Sequence, residues 1–286
     1  MSMLGPVLIA TDLSIHSDEA LRFALRLRPA PLRIVHALTR SDPSVYGLTE
    51  GALRRALDEG TADGHITTAV ERATERAGSV PIDWQESTDP AATIVEAATE
   101  AGADLVVVGT HGRTGFQRLA LGSVAERVLR QAPCPILVVP FAPTRPWSEY
   151  GTRTVLCAVS MTASGRTVAD AAIRFAEALG ADAPALLHAA DGSAAARLRT
   201  VAEGAAAAGE PDGIRASLDE DLGPIYNAEG DAGDAILRRA EAVQADLLVV
   251  GTGQRTGAAR ALGSVAARVV RAAPCPVLVV PTPNTA

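Results

Sequence analysis

The sequence predicts an α/β protein made of two tandem doubly wound domains, each a five-stranded parallel sheet with helices on both faces. Three observations carry this. The chain has 286 residues, more than one domain of about 100–200 residues needs. It repeats itself at a period of roughly 142 residues, too long for a solenoid repeat. Within each copy, short uninterrupted apolar runs alternate with helical stretches, the pattern of parallel strands covered on both faces.

The repeat is clearest near the end of each copy. Ala120 to Pro140 reads ALGSVAERVLRQAPCPILVVP and Ala261 to Pro281 reads ALGSVAARVVRAAPCPVLVVP, identical at 17 of 21 positions. ADLVVVGT (Ala103 to Thr110) matches ADLLVVGT (Ala245 to Thr252), LRIVHA (Leu32 to Ala37) echoes ALLHAA (Ala185 to Ala190), and PVLIATDLS (Pro6 to Ser14) corresponds to TVLCAVSMT (Thr154 to Thr162). The stretch Phe141 to Tyr150 (FAPTRPWSEY) reads as a linker. The expected domains are therefore 1–141 and 153–286 about a linker at 142–152.

In the first copy, Val7 to Ala10 is the opening strand, and Ser17-Asp18-Glu19 reads as a cap with acidic first-turn residues ahead of a helix over Ala20 to Leu27. Leu32 to Val35 is the second strand, and the alanine- and charge-rich segment from Thr49 to Gly78 has the composition of a long helix. Ile82 to Gln85 is a strand, Ala91 to Ala101 a helix, and Asp104 to Val108 a strand. Ser123 to Gln131 is a helix and Ile136 to Val139 the last strand. In such a sheet a ligand sits beyond the carboxyl ends of the strands, where the winding direction reverses.

Composition narrows the chemistry. Lys+Arg number 26 against 33 Asp+Glu, a net charge of −7, and every basic residue is arginine. Without lysine there is no Schiff-base residue and no P-loop cation. Acidic balance and 3% aromatic content argue against nucleic-acid binding. Three cysteines (Cys134, Cys157, Cys275) without a CxxC pair suit reduced thiols in a cytoplasm. The five histidines, His16, His36, His65, His111 and His188, show no zinc-ligand spacing. No apolar run approaches the ~20 residues of a membrane helix, so a soluble cytoplasmic protein is expected.

The loop after the fourth strand carries the chemistry. Gly109-Thr110-His111-Gly112-Arg113-Thr114-Gly115 continues to Gly122-Ser123. Its glycines let backbone N–H groups approach an anion, and Gly122-Ser123 opens a helix whose first amides and dipole favour negative charge. Ser123 with Glu126 also reads as a capping box that would stabilise the helix without any ligand. Asp12 has a similar double reading, as a ligand contact or as an acceptor for local amides ahead of the first helix. His111 has no carboxylate partner at a suitable spacing and reads as loop surface. His36 and His188 read as structural polar positions near the ligand mouth, and the P-C-P cysteines as buried packing residues.

The spacing Gly109-x2-Gly112-x9-Gly122-Ser123, the opening VLIATDLS with Asp12, and the closing PCPILVVP resemble the universal stress protein family over essentially the full chain. The resemblance implies sheets of order 3-2-1-4-5 and, as in many members, ATP bound between the first and fourth strands, commonly with Mg²⁺ or Mn²⁺. It implies that Asp12 contacts the nucleoside, that backbone near Val35 holds the adenine edge, and that Gly109, Gly112, Arg113, Gly122, Ser123 and Val124 surround ribose and phosphates. It also implies pairing through the last strands, here within one chain as a pseudo-dimer, with a homodimer as a further association.

The second copy departs where ligand would sit. Ser160 replaces Asp12, and the loop from Gly251 through Gly253 to Gly263-Ser264 is one residue shorter. Keeping the nine-residue spacing aligns Gly253 with Gly112, whereas keeping Arg-Thr-Gly aligns Gln254 with Gly112; the sequence supports both. Ala267 replaces Glu126. Nucleotide is therefore expected mainly in the first copy, with Gly251, Gly253, Gly263 and Ser264 forming a weaker second site. A non-catalytic, ATP-binding regulator of the stress response, acting on a protein partner, is the leading expectation. The alternatives are a slow ATPase or nucleotidyl-transferring enzyme and a nucleotide-independent interaction scaffold.

Overall fold

Strands form where β-branched and leucine runs are long enough to be covered on both faces, and helices follow wherever an Asp, Ser or Gly can open them. The computed structural model describes residues 4–27, 31–39, 56, 59, 71, 75, 80, 82–110, 121–140, 153–160, 163–190, 225–229, 231–253 and 262–282. The chain divides into two compact units, Met1–Ala142 and Pro143–Ala286. Apart from isolated positions, the long helix expected over 49–78 lies outside the described residues.

In the first unit β1 (Val7–Ala10), β2 (Leu32–Leu38), β3 (Ile82–Glu86), β4 (Leu105–Gly109) and β5 (Ile136–Val139) form a parallel sheet in the order 3-2-1-4-5. The register sets Ala10 beside Val35, Ile9 beside Val107, and Gly109 beside Val139. Helices α1 (Ile15–Arg26), α2 (Pro90–Glu100) and α3 (Ser123–Gln131) follow β1, β3 and β4. Every residue of β5 is buried, as are the first four of β4. Such side chains stabilise by roughly 1.5–3 kcal/mol each when fully buried.

The second unit repeats this with β6 (Val155–Ala158), α4 (Ala163–Leu179), β7 (Ala185–Ala190), β8 (Ile225–Glu229), α5 (Ala232–Ala242), β9 (Leu247–Gly251), α6 (Ser264–Ala272) and β10 (Val277–Val280). Its parallel order is 8-7-6-9-10. The repeated Ala-Asp-Leu motif has a structural use at the amino ends of the strands. Asp104 Oδ2 accepts from Gly5 N–H at 3.2 Å while Asp104 N–H donates to Pro6. Asp246 Oδ2 accepts from Thr154 N–H at 2.9 Å and returns its own N–H to Thr154. Each aspartate thus staples the opening strand to the fourth strand, at the end away from the expected site.

Two expectations are corrected. Helix α1 starts at Ile15, not Ala20, and its cap is Ser14, whose Oγ accepts from Ser17 N–H at 3.3 Å. Ser17 lies inside the helix and donates its hydroxyl to the Ser14 carbonyl at 2.9 Å. Helix α3 has Gly122 as its cap, with no side-chain bond to the cap. Ser123 therefore occupies the first helical position, and no reciprocal capping box forms with Glu126. Glu126 instead pairs with Arg130 one turn on. Strands β1 and β5 and helix α3 keep the expected bounds, and the other ends that differ move by one to three residues, as when β2 continues to Leu38.

Candidate functional site

The carboxyl ends of β1 and β4 lie side by side, and the chain leaves them in two turns that carry most of the expected ligand residues. After β1, Thr11 N–H donates to the Val35 carbonyl at 2.9 Å, so the buried Val35 has its carbonyl committed to the neighbouring strand. Leu13 takes a left-handed φ of 62°. That turn is held by side chains: Leu13 N–H donates to Thr11 Oγ1 at 3.0 Å, and Thr11 Oγ1 meets Ser17 Oγ at 2.9 Å. Asp12 Oδ1 accepts from Ser14 N–H at 3.0 Å and from Ser14 Oγ at 2.6 Å. Asp12 is half-buried and so has a structural task, holding the cap of α1 in place at the end of the central strand.

After β4, Thr110 N–H donates to Val139 at 3.0 Å, and Gly122 N–H donates back to the Thr110 carbonyl at 2.8 Å. This second bond closes the base of the loop and brings Gly109 and Gly122 together. His111, Gly112 and Arg113 lie outside the described residues. The second unit closes its loop identically, with Thr252 N–H to Val280 at 2.9 Å and Gly263 N–H to Thr252 at 2.7 Å. Gly253 has φ +89°, a conformation suited to glycine, and a Cβ on Gly263 would stand 3.0 Å from the Thr252 oxygen.

Both α3 and α6 thus begin with a glycine and no side-chain cap. Their first amides bear the positive end of the helix dipole, of order half a charge, and among the described residues no cap side chain bonds to them. Val124 and Val265 follow at corresponding positions and are the exposed large hydrophobic side chains among the described residues, at 36% and 38%. An apolar side chain held at the rim of a polar helix start suits contact with the body of a ligand.

In the second unit this end of the sheet opens into a cavity of about 600 Å³, within the range of small-molecule sites. Gly251, Gly253, Gly263 and Ser264 all line it, together with Ser160, His188 and Thr282. Thr282 Oγ1 lies 3.0 Å from Thr252 Oγ1 and donates to the Gly253 carbonyl at 3.4 Å. The four glycine and serine positions read from the sequence are therefore one wall of one cavity. His188 and Thr282 are further lining residues that the loop motif did not name. Position 282 is Thr where the first copy has Phe141, a difference that could have flagged it.

Two ion-pair clamps hold the starts of the flanking helices. Asp89 caps α2, accepting from Ala92 N–H at 3.3 Å, and its other oxygen meets Arg127 of α3 at 2.5 Å. The Arg127 hydrogen bond, followed by the Ala92 amide, holds the Asp89 carboxyl below its ordinary value. In the second unit Asp231 caps α5, and Arg268 of α6 meets Asp234 at 2.5 Å.

The cysteines are free and buried. Burial pushes Cys134 up to about 11 and Cys275 up to about 12, with Asp104 and Asp246 adding to the effect; burial raises Cys157 as well. All are neutral packing groups rather than nucleophiles. Among the described residues no group of three or more His, Cys, Asp and Glu side chains is placed to hold a metal ion, and no helix is long and apolar enough to cross a membrane.

The model of the universal stress protein family matches residues 3–140 and 151–281. A universal stress protein of Methanocaldococcus jannaschii is 60% identical over 50 residues, 18% of this chain and 29% of that relative, so the match spans less than a third of the relative's length. The crystal structure of a universal stress protein from Archaeoglobus fulgidus shares the fold at 20% identity, covering 98% of this chain and 99% of its own, with a TM-score of 0.61. A universal stress protein solved in complex with cAMP is 31% identical, covering 47% of this chain and 100% of its own, with a TM-score of 0.33.

Proposed function

The chain belongs to the universal stress protein family, and from that premise we propose that it binds an adenine nucleotide, ATP foremost, chiefly in its amino-terminal half, and acts as a non-catalytic regulator of the stress response. The observation that carries this reading is the start of α3. Gly122 caps α3 and is followed by Ser123 and the exposed Val124, at the end of the sheet where β4 pairs with β1 and the turn carrying Asp12 begins. Amides at such a helix start donate hydrogen bonds to phosphate oxygens with no need for a lysine. In this reading Gly109, Gly112, Gly122 and Ser123 surround the phosphates, with Arg113 beside them, and Asp12 meets the nucleoside. Mg²⁺ or Mn²⁺, bound through the phosphate oxygens, would supply charge neutralisation there.

Regulation follows from linkage. A ligand that binds only the folded chain stabilises it by RT ln(1 + [L]/Kd), about 2.7 kcal/mol at a hundredfold excess over Kd. Nucleotide can thereby change the ordering of the turns at this end of the sheet and what a protein partner meets. Cytoplasmic residence belongs to the same reading and is supported by three free, buried thiols. Thermal unfolding with and without ATP and Mg²⁺ tests it: the melting temperature rises with ATP concentration. A melting curve that ATP leaves unmoved at millimolar concentration, with no binding by calorimetry, overturns the reading.

A further inference from the structure

The same histidine serves two different surroundings in the two units. His36 Nδ1 meets the Thr11 carbonyl at 2.8 Å, and His188 Nδ1 meets the Val159 carbonyl at 3.0 Å. A carbonyl only accepts, so in each ring Nδ1 carries the proton, and in the neutral ring Nε2 is an acceptor. In the first unit Trp84 faces His36 across the strand register and its ring packs edge-on at 5.1 Å, leaving His36 only 1% exposed. In the second unit Asn227 takes the register position of Trp84, and His188 is half-buried and lines the cavity.

The cavity has two polar ends. Strands β7 and β9 flank β6, so they lie two strand spacings apart, about 9.5 Å. His188 stands on the β7 side, and Gly263-Ser264 opens α6 beyond β9. Between them lie apolar walls from Ala158, Val168, Ile236 and Val250. A ligand that satisfies both ends is elongated: a flat body carrying an N–H donor at one end and an anionic group at the other.

We propose that His188 is the specificity-determining residue of this second cavity, its Nε2 accepting a hydrogen bond from the base of a nucleoside monophosphate whose phosphate lies at the start of α6. The inference rests on the reading that this end of the sheet receives nucleotide, and adds a recognition residue in the half where Asp12 is replaced. The tether to Val159 fixes the ring's tautomer and orientation at the cavity wall and leaves Nε2 as the ring's acceptor.

The test uses the full chain and AMP as the probe, followed by nuclear magnetic resonance of the histidine ring nitrogens and the Gly263 and Ser264 amides. His188→Asn keeps a donor for Val159 but removes the Nε2 acceptor; His188→Gln supplies an acceptor in the Nε2 position and gives up the tether. The expected result is an AMP-dependent shift of His188 Nε2 together with the Ser264 amide. His188→Asn weakens AMP at this site at least fivefold with its melting temperature unchanged, while His188→Gln stays within about threefold of the parent affinity despite a lower melting temperature. Ser264 responding to AMP with His188 Nε2 unmoved, or with undiminished affinity in His188→Asn, overturns the role of His188 and leaves nucleotide binding standing. Neither signal responding at 10-fold molar excess and millimolar AMP overturns occupancy of the second cavity, while the Gly109 and Gly122 amides report separately on the first half. Should His188→Asn fail to fold, the wild-type ring signal and His188→Gln still decide.

Discussion

The two halves share one scaffold and differ at one end of it. Both staple the opening strand with an Ala-Asp-Leu aspartate, close the glycine loop through a threonine carbonyl, and start the following helix on a glycine cap. In the first half the turn after β1 is a network of Thr11, Asp12, Ser14 and Ser17. In the second the first two positions are Val159 and Ser160, and Ser160 Oγ lies 3.5 Å from Ser164 Oγ. The first half has a carboxylate and a covered histidine; the second has hydroxyls and a histidine at the cavity. The comparison teaches that the loop closure and the glycine helix start are inherited with the fold, whereas the side chains around them differ between the halves.

The glycine caps give the widest separation between the halves. In Gly122→Val the ATP affinity of the chain falls about 100-fold, equivalent to ~2.7 kcal/mol, because the new side chain stands where the phosphates approach. Gly263→Val, whose Cβ meets the Thr252 oxygen at 3.0 Å, leaves the tight ATP site intact and removes only weaker binding. Calorimetry on the two variants settles the order; equal losses would erase the assigned asymmetry.

Asp12 sharpens the contrast by separating charge from turn geometry. Asp12→Asn retains an acceptor for the Ser14 N–H and hydroxyl, so its melting temperature stays near the parent while ATP binds about tenfold more weakly, ~1.4 kcal/mol. Asp12→Ala loses affinity and also stability, on the order of 1–2 kcal/mol for the two lost hydrogen bonds. Ser160→Ala in the second half has neither effect on the tight site. An Asp12→Asn chain that binds ATP as well as the parent would confine this residue to its structural role.

A smaller difference concerns acid. The Asp89 carboxyl is held below its ordinary value by Arg127 and the Ala92 amide. Its contribution is present above the unfolded value near 3.9 and is lost as pH falls toward the lower folded value. Asp89→Asn therefore flattens the acid limb of a stability curve, with little change at pH 7. Denaturant midpoints measured between pH 6 and 3 give the slopes, and an unaltered slope removes the clamp from the account.

The smallest effect at neutral pH comes from the thiols. Unfolded cysteines ionise near 8.5, whereas Cys134 and Cys275 are raised to about 11 and about 12 in the fold. Their folded pKa lies above the unfolded one, so the contribution is complete below pH 8.5 and is lost as pH rises beyond it. A thiol reagent at pH 8 should find no reactive cysteine in the native chain and all three in denaturant. Rapid native labelling of Cys275 but not Cys134 would mark a looser second half.

Much of the fold was legible because its signals are local. Uninterrupted runs such as Ile136–Val139 and the Gly122-Ser123 start of α3 match the structure at their ends. The start of α1 was misread because Ser17 and Ser14 are equally good caps by composition, and only the turn built by Asp12 and Thr11 favours Ser14. The capping box was misread for a related reason: Ser-x-x-Glu is satisfied in sequence, but the loop closure from Gly122 to Thr110 makes the glycine the cap and shifts Ser123 into the helix. His188 was placed near the ligand mouth from its position at the end of the second strand, whereas Thr282 went unnamed because it reaches the cavity from beyond the last strand rather than from the glycine loop.

The sequence by itself determined the repeat, the parallel doubly wound class, the glycine loop and the exchange of Asp12 for Ser160, because each is written in neighbouring residues or in the copying of one segment. Tertiary structure alone decided what those residues face. His36 is covered because Trp84 stands opposite it on the adjoining strand, and the second cavity depends on three strands and three helix starts meeting at one end. Such encounters join residues far apart in the chain, and strand register and packing, rather than local pattern, bring them together.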